Sequence, residues 1–132
     1  MSRLWRGVRA TDLERGLVRL AFWIGLGGVL LLSLLPNSAL PPVDPGWDKA
    51  NHIAAFAVLG LLGWQSFPQA RGRLLVMLLF YGLAIEGLQS LTADRQAEWL
   101  DVVADAVGLA LALAVVGLAR LPASWRTIRQ TQ

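Results

Sequence analysis

Residues 99–121 read WLDVVADAVGLALALAVVGLARL, and Asp101, Asp105 and Arg120 are their only charged side chains. A helix that crosses a bilayer needs about 20 mostly apolar residues, because each residue rises 1.5 Å and the hydrocarbon core is about 30 Å thick. This stretch therefore predicts a membrane-spanning helix that ends before Pro122. The composition agrees, since 55% of the 132 residues are hydrophobic and 16% are charged.

Three further apolar runs lie upstream, over residues 17–35, 50–67 and 74–91. Pro36 and Pro68 end the first two runs, and repeated prolines make residues 36–46 a loop. Helices fit these lengths, because a spanning segment must satisfy its own backbone hydrogen bonds in lipid. We predict an all-α integral membrane four-helix bundle that occupies residues 1–132 as a single domain.

The basic residues divide unevenly between the two ends of the predicted helices. Only Lys49 and Arg95 lie at one end, so the positive-inside rule places the opposite end, with both termini, in the cytoplasm. The residues at that opposite end are Arg3, Arg6, Arg9, Arg15, Arg19, Arg71, Arg73, Arg120, Arg126 and Arg129. A signal peptide is the alternative for the first run, because residues 37–39 resemble a small-residue cleavage site. Cleavage there would leave three spans.

Composition also excludes several kinds of partner and site. The formal net charge of +3 does not indicate nucleic-acid binding, because the basic residues flank apolar runs instead of forming a solvated patch. The chain has no cysteine, which excludes disulfides, thiolate metal sites and a cysteine nucleophile. We expect membrane lipids as partners and no nucleic acid.

Polar residues interrupt the apolar runs at the start of the second helix, the end of the third and the start of the fourth. Helix parity places these three points at the same membrane face, whichever way the chain is oriented. Polar groups at membrane depth cost free energy, so such a convergence predicts a functional site. The candidate ligand-binding residues are Asp48, Lys49, His52, Glu86, Gln89, Arg95, Asp101 and Asp105.

Spacing suggests roles for the first residues of this set. Asp48 and His52 are four apart on one helix face, so they could form a carboxylate–imidazole couple of the kind a general base or metal ligand requires. Alternatively, Asp48 caps the helix and His52 bonds a neighbouring helix. Glu86 is the residue most costly to bury, and we expect it to pair with Lys49, His52 or Arg95, although such a pair could be purely structural.

Asp101 and Asp105 are also four residues apart, so their charges repel each other unless a cation, a shared proton or separate partners intervene. Arg95 is the obvious cation. The same stripe continues as Gly108 and Ala112, which let a neighbouring helix approach closely.

Neither a metal nor a hydrolase motif accompanies these carboxylates. The set would suit Mg²⁺, Ca²⁺ or Mn²⁺ better than zinc, but no standard metal motif is present, and we expect no metal and no cofactor. Ser90 is the only serine near the candidate residues in sequence, and its neighbours form no nucleophile elbow.

The order of these residues resembles that of the VanZ-like family of small bacterial membrane proteins, over about residues 20–120. The matching pattern is Asp48-x-x-x-His52-x-x-x-Phe56-x-x-x-Gly60 with Lys49, then Glu86-x-x-Gln89, then Arg95, then Asp101-x-x-x-Asp105-x-x-Gly108. Many members carry Asn where this chain has Asp105. The resemblance implies a multi-pass protein of the bacterial cytoplasmic membrane. The founding member of the family is associated with resistance to teicoplanin without remodelling of cell-wall precursors.

The sequence thus favours an extracytoplasmic pocket that binds an envelope lipid headgroup or a glycopeptide-like amphiphile and modulates cell-surface properties. Arg95 with Lys49 would recognise a phosphate or carboxylate, while Glu86 and Gln89 would bond hydroxyl or amide groups. The alternative is a membrane-embedded enzyme that uses His52 or Glu86 as general base on a lipid-linked substrate. Ion translocation is disfavoured because polar residues do not continue through the fourth helix beyond Gly108.

Overall fold

A computed structural model of the chain describes residues 10–40, 44–93 and 97–120. These residues form four α-helices: α1 (Ala10–Leu34), α2 (Pro45–Ser66), α3 (Arg71–Gln89) and α4 (Trp99–Ala119). A single 3-10 turn, Asn37–Ala39, follows α1, and no described residue lies in a strand. The predicted all-α class and the four predicted helices are therefore confirmed.

The first three helices begin before the apolar runs that predicted them, α1 and α2 by five residues or more. α1 begins at Ala10, because the polar residues before the apolar run continue the same helix. α2 begins at Pro45, where a proline costs nothing because a first-turn N–H has no helical partner. Lys49 and Asp48 therefore lie inside α2 and not in the loop before it.

Three of the helices are long and apolar enough to cross a membrane: α1 from Asp12, α3 and α4. α2 is not among these candidate spans. It carries Asp48, Lys49, Asn51 and His52 near its start, and it packs against all three other helices, most extensively against α4 and α1. Much of its surface therefore faces protein, so α2 does not need the apolar circumference of a helix that faces lipid on most sides.

The helices alternate in direction along the chain. The Arg19 guanidinium donates to the Ser66 carbonyl at 3.0 Å, so the start of α1 lies beside the end of α2. Gln89 Nε2 donates to the Ser33 carbonyl at 2.9 Å, so α1 and α3 end together. Within the described ranges α1 and α4 do not pack on each other, whereas α2 and α4 share the most extensive interface.

Small residues allow α2 and α4 to approach closely. A Cβ atom on Gly108 would collide with the Ile53 carbonyl oxygen and would lie 3.0 Å from the Ala57 nitrogen. A Cβ atom on Gly60 would lie 2.9 Å from the Ala112 Cβ. The predicted role of Gly108 and Ala112 in close packing is therefore confirmed, and the partner helix is α2 of the same chain.

The interior is small and the outer surface is apolar. Side chains from all four helices form the buried core: Phe22, Phe56, Leu59, Leu74, Leu78 and Leu109. Large apolar side chains on the outside remain accessible, including Met77 at 69% and Ile24 at 64%. Exposed apolar surface on this scale is typical of a protein that faces lipid or a partner. Together with the three candidate spans, it indicates a membrane protein.

Candidate functional site

The start of α2, the end of α3 and the start of α4 meet at one end of the bundle, as helix parity predicts. We call the side chains gathered there the polar cluster. It comprises Asp48, Lys49, His52, Glu86, Glu98, Asp101 and Asp105. Arg95, also predicted for this site, lies outside the described residues. That the cluster binds a ligand stays a prediction.

Lys49 joins α2 to the start of α4. Its ammonium lies 2.7 Å from Glu98 Oε2 and 3.3 Å from Asp101 Oδ1. The hydrogen bond that Lys49 donates to Glu98 raises the pKa of Lys49 above its ordinary value, so the ammonium is charged at neutral pH. The predicted use of Lys49 to recognise a ligand phosphate would require it to give up these two carboxylates.

His52 forms its hydrogen bond with a carboxylate on the neighbouring helix. Its Nδ1 lies 2.9 Å from Asp105 Oδ1, and its Nε2 lies 4.0 Å from Asp101 Oδ2. The carboxylate–imidazole couple predicted from spacing is therefore wrong, because His52 bonds Asp105 and not Asp48. Asp105 is 1% exposed and has almost no water to solvate it, whereas Asp48 is only half-buried, so the imidazole stabilises the deeper carboxylate.

A glycine on α3 makes room for this pair. A Cβ atom on Gly82 would collide with Asp105 Oδ2 and would lie 3.3 Å from the Phe56 ring. The structure shows that its missing side chain leaves the space that the Asp105 carboxylate fills.

Glu86 is the buried carboxylate of α3, at 7% exposure. Its Oε2 accepts a hydrogen bond of 2.9 Å from the backbone N–H of Glu98, while its Oε1 is buried without a hydrogen-bond partner. Within the described part of the chain, neither Lys49 nor His52 bonds Glu86, so the pairing predicted with these two residues is wrong.

The two aspartates of α4 have separate partners. Asp101 contacts Lys49, and Asp105 contacts His52, so neither a cation between them nor a shared proton is needed to hold them four residues apart. The polar cluster nevertheless contains more carboxylates than cations among its described members. It is therefore an acidic site, which favours hydrogen-bond donors and cations over anions.

Gln89 connects two helices at this end of the bundle. Its amide donates to the Ser33 carbonyl of α1, and the residue is 4% exposed. The amide N–H predicted to bind a ligand is used inside the protein, so the structure gives Gln89 a role in fixing α3 against α1.

Part of the cluster has a geometry that could hold a metal ion. Asp48, His52 and Asp101 can each offer one ligand atom, and these atoms lie within 4.8 Å of one another. With His52 Nδ1 bonded to Asp105, the ring presents Nε2 as the free donor atom, an arrangement in which a carboxylate orients a metal-binding imidazole. The set of two carboxylates and one imidazole would suit Mn²⁺ or Zn²⁺.

Glu98 belongs to the site but was not among the predicted residues. It bonds Lys49 through its carboxylate and Glu86 through its backbone N–H. The sequence could have indicated Glu98, because it directly precedes the helix start at Trp99. Backbone N–H groups there have no helical partners and donate hydrogen bonds to nearby carboxylates. Nothing in the sequence indicates that the Ser33 carbonyl accepts a hydrogen bond from Gln89.

The chain matches no protein-family model, no curated protein and no solved structure. Its resemblance to VanZ-like proteins rests on the order and spacing of the polar residues in the sequence.

Proposed function

We propose that the chain is a VanZ-like protein with four membrane spans in the bacterial cytoplasmic membrane and both termini in the cytoplasm. In this proposal the polar cluster opens toward the outside and binds the headgroup of an envelope lipid or another amphiphile. Binding would alter cell-surface properties or access of glycopeptides to the surface. The three apolar helices and the ten-to-two division of basic residues support this placement.

One observation carries the binding proposal. Glu86 Oε1 is buried without a hydrogen-bond partner, in a cluster drawn from three helices. A buried carboxylate oxygen that accepts no hydrogen bond is costly, because its desolvation is not compensated. A hydroxyl, amide or ammonium group from a ligand would supply the donor that the described side chains do not.

The charge of the cluster narrows the ligand further. Lys49 is neutralised by Glu98 and Asp101, so among the described residues of the polar cluster no free cation remains to bind a phosphate. Recognition of a phosphate or carboxylate would therefore fall to Arg95 alone. The acidic cluster fits the hydroxyl, amide or amine part of an amphiphile, such as the sugar or ethanolamine of a lipid headgroup.

Lipids bound to the gently purified protein test this proposal. Mass spectrometry should find one lipid class enriched on the wild type. In Glu86→Gln the enrichment of this lipid should fall about tenfold, because the new amide N–H₂ is a hydrogen-bond donor where the ligand needs an acceptor. Glu14→Gln is the control, since it removes an exposed carboxylate at the other end of the bundle. Equal enrichment on a folded Glu86→Gln protein would count against the proposal.

A specific contact also favours the alternative, a membrane-embedded enzyme. The Asp105 carboxylate holds His52 through Nδ1 and so orients the imidazole with Nε2 free, which is how a general base is commonly prepared. We expect such an enzyme to consume a lipid-linked envelope substrate. His52→Gln should abolish turnover while leaving the unfolding midpoint within a few degrees. If purified wild-type protein consumes no envelope lipid extract, this alternative is excluded for the lipids tested.

A further inference from the structure

A groove lies at the end of the bundle opposite the polar cluster, between α1 and α3 and beside the end of α2. Its volume is about 390 Å³, within the range of ligand sites. Nine of its ten lining side chains are apolar or aromatic, among them Trp23, Phe67 and Met77. The Tyr81 hydroxyl at its inner end already donates to the Leu26 carbonyl, so the groove offers no polar group in its depth.

The groove is open toward the side of the bundle. Trp23 and Met77, which line it, are 55% and 69% exposed. They belong to α1 and α3, two of the helices apolar enough to cross a membrane, so the groove faces the hydrocarbon of the bilayer. This inference uses the membrane placement of these helices and does not depend on the polar cluster.

Arg73 is the tenth lining residue and lies at the mouth, in the first turn of α3. The distance along the helix from Arg73 to Tyr81 is about 12 Å at 1.5 Å per residue. The groove therefore joins a cation at the end of the helix to an apolar channel that runs about 12 Å inward. This arrangement is complementary to an anionic lipid, which has a negative headgroup and an apolar acyl chain.

Three other guanidinium groups at this end are already in contact with uncharged partners in the protein. Arg19 donates to the Ser66 carbonyl and lies over the Phe67 ring, Arg71 donates to the Trp64 carbonyl, and Arg120 lies over the Trp64 ring. Arg73 has no hydrogen bond, ion pair or ring contact with any described residue. The charges at this end are therefore not neutralised at the groove mouth.

The described carboxylates at the start of α1, Asp12 and Glu14, form no ion pair with Arg73 and do not line the groove. We propose that the groove binds one acyl chain of an anionic phospholipid, with the lipid phosphate paired to Arg73. A zwitterionic lipid would bring its own cation to the same set of guanidinium groups, so the anionic lipid is preferred.

Competition between two lipids with identical acyl chains tests the proposal. The purified full chain is equilibrated in micelles doped with equal amounts of phosphatidylglycerol and phosphatidylethanolamine, and retained lipid is counted by native mass spectrometry. Wild-type protein should retain phosphatidylglycerol about fivefold over phosphatidylethanolamine, the ratio expected for one basic residue that meets an anionic lipid. Arg73→Gln should abolish the preference, and Arg73→Lys should keep most of it.

Two further variants separate this site from general attraction. Arg15→Gln removes an equal charge from the exposed start of α1, outside the groove, and should keep the preference. Met77→Trp fills the groove from an exposed position and should lower retention of both lipids at least severalfold. Equal losses in Arg15→Gln and Arg73→Gln, or unchanged retention in Met77→Trp, would overturn the proposal. If the protein instead forms a dimer that carries no phosphatidylglycerol, and if Met77→Trp disrupts this dimer, the proposal is wrong and the groove binds a second copy of the chain.

Discussion

At the scale of single residues, burial decides which polar groups pair. His52 has one carboxylate a helical turn before it on α2 and another across the interface on α4, and it bonds the second. Asp105 is almost fully buried, so without the imidazole its carboxylate would have little water and no side-chain hydrogen bond with a described residue. Asp48 is half-buried and does not depend on that bond. Sequence spacing treats the two carboxylates alike, although their solvation differs.

The His52–Asp105 pair should show this dependence in stability. His52→Ala leaves the Asp105 carboxylate buried and unpaired, and we expect a loss of about 3 kcal/mol in the free energy of unfolding. The double variant His52→Ala with Asp105→Ala should be more stable than His52→Ala alone by about 1 kcal/mol, because no unpaired charge remains. Unfolding in mixed micelles with increasing SDS measures these differences.

Asp48→Ala is the control for this series. It removes the carboxylate that shares a helix with His52 but forms no hydrogen bond with it, so stability should change by about 0.5 kcal/mol or less. A larger loss from Asp48→Ala than from His52→Ala would show that the within-helix couple matters more than the contact between helices.

At the scale of helices, the contact between α2 and α4 positions the site. The two helices run in the same direction, and Gly108 brings their backbones together one turn below Asp105. A larger residue there would move the start of α4 away from Lys49 and His52. The same contact covers part of α2, the helix that is not among the candidate spans, so this part of its surface does not face lipid.

Gly108→Ala should therefore weaken both packing and the site. Its Cβ would meet the Ile53 carbonyl oxygen and the Ala57 nitrogen, which are backbone atoms that cannot rotate away. We expect a loss of about 1–3 kcal/mol in the free energy of unfolding. Gly117→Ala is the matched control in the same helix, since no atom lies within 4 Å of its added Cβ. It should be neutral or stabilise by up to about 1 kcal/mol, and an equal loss in both variants would show that the interface is not the cause.

At the scale of the whole molecule, the two ends of the bundle have opposite character. Carboxylates predominate in the polar cluster, whereas guanidinium groups with uncharged partners gather around the start of α3. The positive-inside rule counts only the lysines and arginines, so the gathering of arginines at one end supports the proposed orientation with that end in the cytoplasm.

Single cysteines can test the orientation and the number of spans, because the chain has none of its own. Ser38→Cys and Ala97→Cys lie at the end with the polar cluster, and Gln69→Cys lies at the opposite end; all three positions are exposed. In intact cells an impermeant maleimide should label the first two and leave Gln69→Cys unlabelled until the membrane is opened. Labelling of Gln69→Cys alone would reverse the orientation, and labelling at both ends would contradict the four-span arrangement.

Much of the architecture follows from the sequence without tertiary information. Apolar runs of spanning length, interrupted by Pro36 and Pro68, predict four helices, and alternation of direction then brings the polar helix ends together. The close approach at Gly108 also follows, because small residues on a helix face are a local property. The role of Gly82 was less visible, since nothing along α3 indicates which side chain of α4 will fill its space.

The sequence by itself determined the all-helical class, the four helices, and the end of the bundle at which the polar residues gather. Those features depend on composition and periodicity along the chain. The tertiary structure alone decided that His52 pairs with Asp105 and that Lys49 forms an ion pair with Glu98. It also decided that one carboxylate oxygen of Glu86 has no hydrogen-bond partner. Such choices depend on how deeply each group is buried and which helix lies opposite it, and these quantities exist only once the helices have packed.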